Sequence, residues 1–188
     1  MLDGSELEVR ADTRVAIIGV GAKSTLDGQG LSRLIYVRAR GVLRLENVGL
    51  INGAAVGAGA AIFAGVSSDM LLIHVDVTEC HSTASHTENH VKGGAMYLDV
   101  GATATLISSA ITKVTARSDS GSVFGGAMYL HTDATATLVS STIKSVTAQA
   151  HSSFAYGGAM YLYMGATAIL DASTIGNVTA QSDSERVY

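Results

Sequence analysis

The hexapeptide GGAMYL occurs three times, at 93–98, 125–130 and 157–162, so the chain repeats itself at a constant interval. Each copy continues as ATATL or ATAIL and then as an Ile-x-x-Val-Thr-Ala segment. Two diverged copies lie upstream, as RLIYVRARGVLRLENVGLINGA and GAAIFAGVSSDMLLIHVDVTEC. A unit of this size buries its apolar side chains only by stacking on its neighbours, so the repeat constrains the chain to an array.

One spacing ties the five copies together. Fourteen residues after the aromatics Tyr36, Phe63, Tyr97, Tyr129 and Tyr161 stand the aliphatics Leu50, Val77, Ile111, Ile143 and Ile175. From each aliphatic to the next aromatic the span varies: it is shortest from Leu50 to Phe63 and longest from Val77 to Tyr97. A fixed arm joined by a variable segment is expected of a solenoid, whose loops absorb insertions while its packed arms do not.

The arm is extended. Leu43/Leu45, Met70/Leu72, Ala104/Leu106, Ala136/Leu138 and Ala168/Leu170 are apolar pairs two residues apart, with Arg44, Thr105 and Thr137 between three of them. Period 2 marks a strand with one buried face, and no helical stripe competes with it. The predicted fold is therefore all-β: a parallel β-helix of about six coils with three short strands per coil. Residues 1–30 are read as irregular entry coils or a cap, and 31–188 as five repeats of unequal length. The predicted core columns are Ile35, Ile62, Met96, Met128, Met160; Leu45, Leu72, Leu106, Leu138, Leu170; Leu50, Val77, Ile111, Ile143, Ile175; and Gly53, Cys80, Val114, Val146, Val178. The glycine pair opening each GGAMYL is expected to turn sharply against the neighbouring coil.

Composition agrees: 47% hydrophobic, 15% charged, 21 Gly and no Pro describe a packed chain, not a disordered one. The single cysteine, Cys80, excludes an internal disulfide and is expected to be a small buried hydrophobe. A net charge of −4 with no Lys/Arg run argues against nucleic acid as a partner. The apolar stretch around Ile51–Val66 is too short and too rich in Gly and Ala for a membrane span. The start, MLDGSELEVR, does not read as a signal peptide.

The motif GGAM at 93, 125 and 157, followed by ITKV at 111, IKSV at 143 and IGNV at 175, resembles the GGA-[Ile/Leu/Val] and Phe-x-x-Asn repeats of polymorphic outer-membrane-protein-type proteins. Together with STLDGQGLSRLIYVRARGVLRLENVGLINGAA upstream, it is also similar to the pectate-lyase-like superfamily. That resemblance spans roughly residues 15–188 and implies a right-handed β-helix, an extracellular or cell-surface setting, and roles ranging from lyase and hydrolase to adhesin and inert spacer. RVAIIGVGAKST imitates a dinucleotide or phosphate loop, but LDGQG follows where a helix is needed, so it is read as a strand and corner.

Outward columns are where such a fold carries function. Tyr36, Phe63, Tyr97, Tyr129 and Tyr161 are expected to form an exposed aromatic ladder able to stack on sugar rings or on itself. Two residues further on, Asp99, His131 and Tyr163 fall on consecutive coils and offer an acid, an imidazole and a phenol as alternative catalytic groups. His81, His86, Glu88 and His90 are weak metal-ligand candidates in a polar loop, and no cofactor is expected. Thr103, Thr105, Thr135, Thr137 and Thr167 form a small threonine array, and Asn177–Thr179 reads as a glycosylation sequon.

The functional expectation is a non-catalytic extracellular or cell-surface module for adhesion, carbohydrate binding or structural extension. The alternatives are a polysaccharide lyase or glycoside hydrolase acting on the strand face and, more remotely, ice binding through the threonines. Polysaccharide or cell-surface glycans are the expected partners. Tyr188 falls in register with Phe124 and Tyr156, so a further GG would be next due and the chain is expected to continue, or a partner to cover that edge.

Overall fold

The computed structural model describes residues 2–84 and 90–183. These form a parallel β-solenoid, with no helix among the described residues. None is therefore long and apolar enough to cross a membrane.

Three six-rung ladders make the walls. The first face stacks Leu7–Val9, Ile35–Val37, Ile62–Ala64, Met96–Leu98, Met128–Leu130 and Met160–Leu162. The second stacks Arg14–Ile18, Val42–Glu46, Asp69–Ile73, Thr103–Ile107, Thr135–Val139 and Thr167–Asp171. The third stacks Ser24–Asp27, Val48–Ile51, Asp76–Thr78, Ala110–Ser118, Thr142–Ala150 and Thr174–Ser182. Every pairing is parallel.

The register reproduces the sequence columns: Ile35, Ile62, Met96, Met128 and Met160 are successive partners, as are Leu45, Leu72, Leu106, Leu138 and Leu170. Their inward side chains, with Leu50, Val77, Ile111 and Ile143, fill one continuous core. In the last described rung, Leu162, Leu170 and Ile175 are 40–43% exposed, whereas Leu130, Leu138 and Ile143 one rung below are fully buried.

Residues 7–27, expected as irregular entry, instead supply a regular first rung in register with Ile35–Val37, Val42–Glu46 and Val48–Ile51. The phosphate-loop look-alike is thus a strand, a corner and a strand. Its glycines sit at the bend and leave the ladder unbroken, in keeping with the reading of a strand and corner.

Corners use left-handed backbone repeatedly. Asn52, Glu79, Lys113, Ser145 and Asn177 all have φ between 50° and 56°. Each stands two residues after the third-face aliphatic of its coil, so the bend is kept on these five rungs although asparagine, which tolerates it best, remains only at 52 and 177.

A further corner carries a serine column that the hydrophobic pattern did not reveal. Ser109 Oγ accepts the Val75 N–H at 3.0 Å, Ser141 Oγ accepts the Ser109 N–H at 3.1 Å, and Ser173 Oγ accepts the Ser141 N–H at 2.9 Å. The left-handed residues just before, Ser108 and Ser140, turn the chain out of the ladder, and the hydroxyls satisfy the donors left over. Ser141→Ala is expected to strand the buried Ser109 N–H and cost roughly 1–3 kcal/mol, read as a lowered urea midpoint with unchanged slope. An equal midpoint would show that the column contributes nothing.

Among the described residues, the variable segments carry short strands of their own. Ala54–Val56 and His81–Thr83 pair with each other, and Val91–Lys92, Val123–Phe124 and Ala155–Tyr156 form a three-stranded parallel sheet. That sheet folds against the outer ends of the long third-face strands and encloses a second small core of Val91, Ala116, Val123, Ala148, Ala150 and Ala155. The result is a lobe projecting beside the first face.

Candidate ligand groove

On the first face, alternation sends Met96 and Leu98 inward and Tyr97 outward, and stacking turns the outward position into a file of rings. Successive centroids along Tyr36, Phe63, Tyr97, Tyr129 and Tyr161 are 4.9, 4.6, 5.3 and 5.6 Å apart, with interplanar angles of 21° or less. The strand spacing of about 4.8 Å imposes this separation, which suits ring stacking.

The ladder lies outside the hydrophobic core, as expected, but it is not openly exposed. Tyr97 and Tyr129 are only 8% and 4% accessible, while Tyr36, Phe63 and Tyr161 are half-buried. The lobe walls one side: Phe124 meets Tyr129 and Tyr161 edge-on at 6.4 and 5.1 Å and stacks on Tyr156 at 5.2 Å. The column two residues along walls the other, with the His131 ring 5.9 Å from Tyr129 and 5.3 Å from Tyr163. Strand parity gave the direction of the rings; the lobe that covers them comes from a segment read as loop.

Between ladder and lobe runs a groove. A cavity of about 350 Å³ is lined by His90, Lys92, Phe124, Tyr129, His131, Tyr161 and Tyr163. An adjoining cavity of about 290 Å³, over Phe63 and Tyr97, shares His90 and Lys92 and is flanked by Arg33. A larger depression of about 530 Å³ on the third face is lined by threonines, Asp76 and two lysines, with no aromatic floor. Asp76 and Lys113 there are already paired with Lys23 and Glu79.

The protonation states are legible from the partners. Burial, then Tyr161, Tyr163 and Asp99, push the Tyr129 phenol up to about 12. Burial, then Asp99 and Tyr129, raise Tyr97 as well. Both stay protonated at neutral pH, the wrong direction for a general base. His131 Nδ1 accepts the Thr132 N–H at 2.8 Å and His90 Nδ1 accepts the Ser122 N–H at 3.0 Å. Each neutral ring therefore carries its proton on Nε2 and serves as a donor.

Asp99, His131 and Tyr163 do fall on consecutive rungs, their amides donating to Ala64, Leu98 and Leu130. Asp99 Oδ1 is occupied by the Val100 N–H at 2.8 Å. Of the metal candidates, His90 lies in the groove, whereas His81 pairs in the ladder between Ala54 and Thr115 and borders Gly30 and Glu79. His86 and Glu88 lie outside the described residues. Among the described residues, no three His, Cys, Asp or Glu side chains are placed to hold one ion.

The threonines align as Thr103, Thr135, Thr167 and as Thr105, Thr137, with Ile169 ending the second file. The Thr103 hydroxyl is bound to the Asp69 carboxylate. Asn177 is exposed at a left-handed corner within Thr174–Ser182.

Sequence reasoning missed a further column at the repeat interval, Asp119, His151 and Asp183. His151 Nδ1 bonds the Asp183 carboxylate and its Nε2 lies 3.4 Å from Asp119 Oδ1, while Arg117 pairs with Asp119 at 3.2 Å. The carboxylates flank opposite nitrogens of the ring, so this is a clasp between coils and not a shared ion site. Reading every polar residue at the interval of the GGAMYL copies would have found it.

Cys80 is buried in register with Val114, its thiol pushed up to about 11 by burial with a smaller contribution from Glu79. The native thiol is expected to react with a disulfide reagent at neutral pH far more slowly than the urea-unfolded chain. Because the folded value lies above the reference of 9.0, the unfolded chain holds fewer protons between the two. This group's stabilisation is complete below pH 9 and is lost as the pH rises towards 11. A pH-independent urea midpoint across that interval would contradict the effect of burial, with Cys80→Val as the reference that isolates the thiol.

Comparison with protein-family models, with curated proteins and with solved structures finds no match for this chain.

Proposed function

We propose that this chain is a non-catalytic, extracellular or cell-surface solenoid module that binds carbohydrate in the groove between the aromatic ladder and the lobe. The carrying observation is the groove itself: an aromatic wall that ends in Tyr161, a half-buried ring stacked on one side only among the described residues, with hydrogen-bond donors on its rim. Sugar rings lay their C–H faces on aromatic planes and their hydroxyls on polar rims. The likeness of the GGAM repeats to outer-membrane-protein-type coils supports a surface setting.

The test is binding of immobilised neutral and acidic polysaccharides by the wild type and by Tyr161→Ala. The ring of Tyr161 is half-buried on the end rung, so it is the variant that removes contact area at least structural cost. Retention by the wild type and a roughly tenfold or greater loss in the variant is expected, the scale of one aromatic stacking contact. No retention of any polysaccharide would overturn the proposal.

A lyase or hydrolase reading rests on one observation, the approach of His131 and Tyr163 to 5.3 Å on adjacent rungs. Its test is polysaccharide cleavage by the wild type that disappears in His131→Ala. With Nδ1 taken by the Thr132 N–H, the nitrogen that the neutral imidazole has left is a donor, which favours binding over proton abstraction.

A further inference from the structure

We infer that the groove selects a saccharide bearing an anionic group, a carboxylate or a sulfate, which the Lys92 ammonium and the Nε2–H donors of His90 and His131 hold while Phe124 and Tyr161 take its ring faces. This inference rests on the carbohydrate reading above and names the ligand class.

Unmatched charge is the basis. Three cations border the first-face aromatics. Arg33 is bound to Glu6 at 3.0 Å and to the Gly59 and Ala58 carbonyls, each at 3.0 Å. Arg38 is bound to Glu8 at 2.9 Å. Lys92 has no carboxylate within ion-pair distance among the described residues and lies half-buried, its Nζ 5.7 Å from the Tyr129 ring centre. An ammonium partly withdrawn from water and facing only a ring gains from an anion brought to it.

The rest of the lining points the same way. The nitrogens that His90 and His131 leave free are donors, because Nδ1 of each is already taken by a backbone N–H. The phenols Tyr97 and Tyr129 stay protonated. No carboxylate lines the cavity over Tyr129; Asp99, the nearest along the column, accepts the Val100 N–H through Oδ1 and stands beside the Tyr97 phenol, outside that lining. A cavity walled by an ammonium, N–H and O–H groups and ring faces matches a ligand that is acceptor-rich and charged on one side and apolar on the other. The chain as a whole carries a net charge of −4, so general attraction for polyanions is not the source of this preference.

The test measures affinity for chain-length-matched oligosaccharides at about 0.15 M salt, where long-range attraction is screened. The probes are a neutral glucan, a uronic-acid oligomer and a sulfated glucan, with poly-glutamate as an acidic chain without sugar rings. The wild type is expected to bind at least one acidic saccharide about tenfold more tightly than the neutral one, and poly-glutamate no better than the neutral one. The uronate and sulfate arms show which anion is used. Lys92→Gln is expected to weaken acidic binding about tenfold and neutral binding by much less, so that the preference disappears, and Lys92→Arg to restore most of it. Equal affinity for neutral and acidic saccharides overturns the inference while the carbohydrate reading stands. So does a preference that survives in Lys92→Gln, or poly-glutamate binding as tight as that of the acidic sugar. Failure to bind any saccharide overturns both.

Discussion

Gly125→Ala is expected to remove most of the folded protein's stability, by roughly 3 kcal/mol or more, whereas Gly101→Ala is expected to cost only about 1 kcal/mol. Both glycines are left-handed, with φ of 72° and 64°, so both substitutions carry the strain of a non-glycine residue in that region. What separates them is space. A Cβ on Gly125 would sit 2.0 Å from the Met128 carbonyl oxygen and 3.0 Å from the Tyr161 amide on the neighbouring rung. All of these are backbone atoms committed to the ladder, so nothing near can yield. A Cβ on Gly101 meets only the Ser67 hydroxyl, at 3.5 Å. The positions equivalent to Gly101 on other rungs already hold Arg40, Ser67 and Asp133 with φ of 54° to 58°. Circular dichroism melts of the two variants decide it: equal melting temperatures would show that close approach of the coils is not what the glycine pair provides.

The second large effect is expected from Tyr129→Ala. Its ring is stacked between Tyr97 and Tyr161 and meets Phe124 and His131 at its sides. Truncating a large, nearly inaccessible aromatic costs roughly 3–5 kcal/mol, because the walls collapse only in part. Tyr129→Phe keeps every ring contact and is expected to stay within about 1 kcal/mol of the wild type, while Tyr161→Ala, on the half-open end rung, falls between. Urea unfolding of the three variants ranks them. If Tyr129→Ala proves no worse than Tyr161→Ala, the lobe does not seal the centre of the ladder. The ranking also governs how binding is tested. Loss of ligand in Tyr129→Ala reports on folding, whereas loss in Tyr161→Ala with an intact melt reports on contact.

The architecture was written in the chain because a solenoid converts sequence period into spatial register. The constant interval between copies made Gly93, Gly125 and Gly157 neighbours, and alternation at ATATL fixed which side faced inward. The diverged copies at Tyr36 and Phe63 were found by the same spacing and pair as expected. Period also held two columns that apolar patterning alone overlooks, Ser109–Ser141–Ser173 and Asp119–His151–Asp183, since these carry polar side chains.

The candidate groove was only half legible. Parity placed the tyrosines outside the core, and nothing in the sequence said what lay beyond them. The lobe's strands Val91–Lys92, Val123–Phe124 and Ala155–Tyr156 are too short to show a period, and its core is built largely of alanine. Its position beside the ladder follows from where the chain leaves the long third-face strand, at Ser118, and where the glycine pair after Phe124 returns it to the first face.

By itself, then, the sequence determined the rungs, their register and the direction of each side chain, because these depend on local alternation and on identical neighbours meeting at a fixed interval. Only the tertiary structure decided which outward rings are covered and which remain open, and where Lys92, His90 and His131 converge. Those outcomes depend on how non-repeating segments fold across the repeat, a long-range choice that no local pattern encodes.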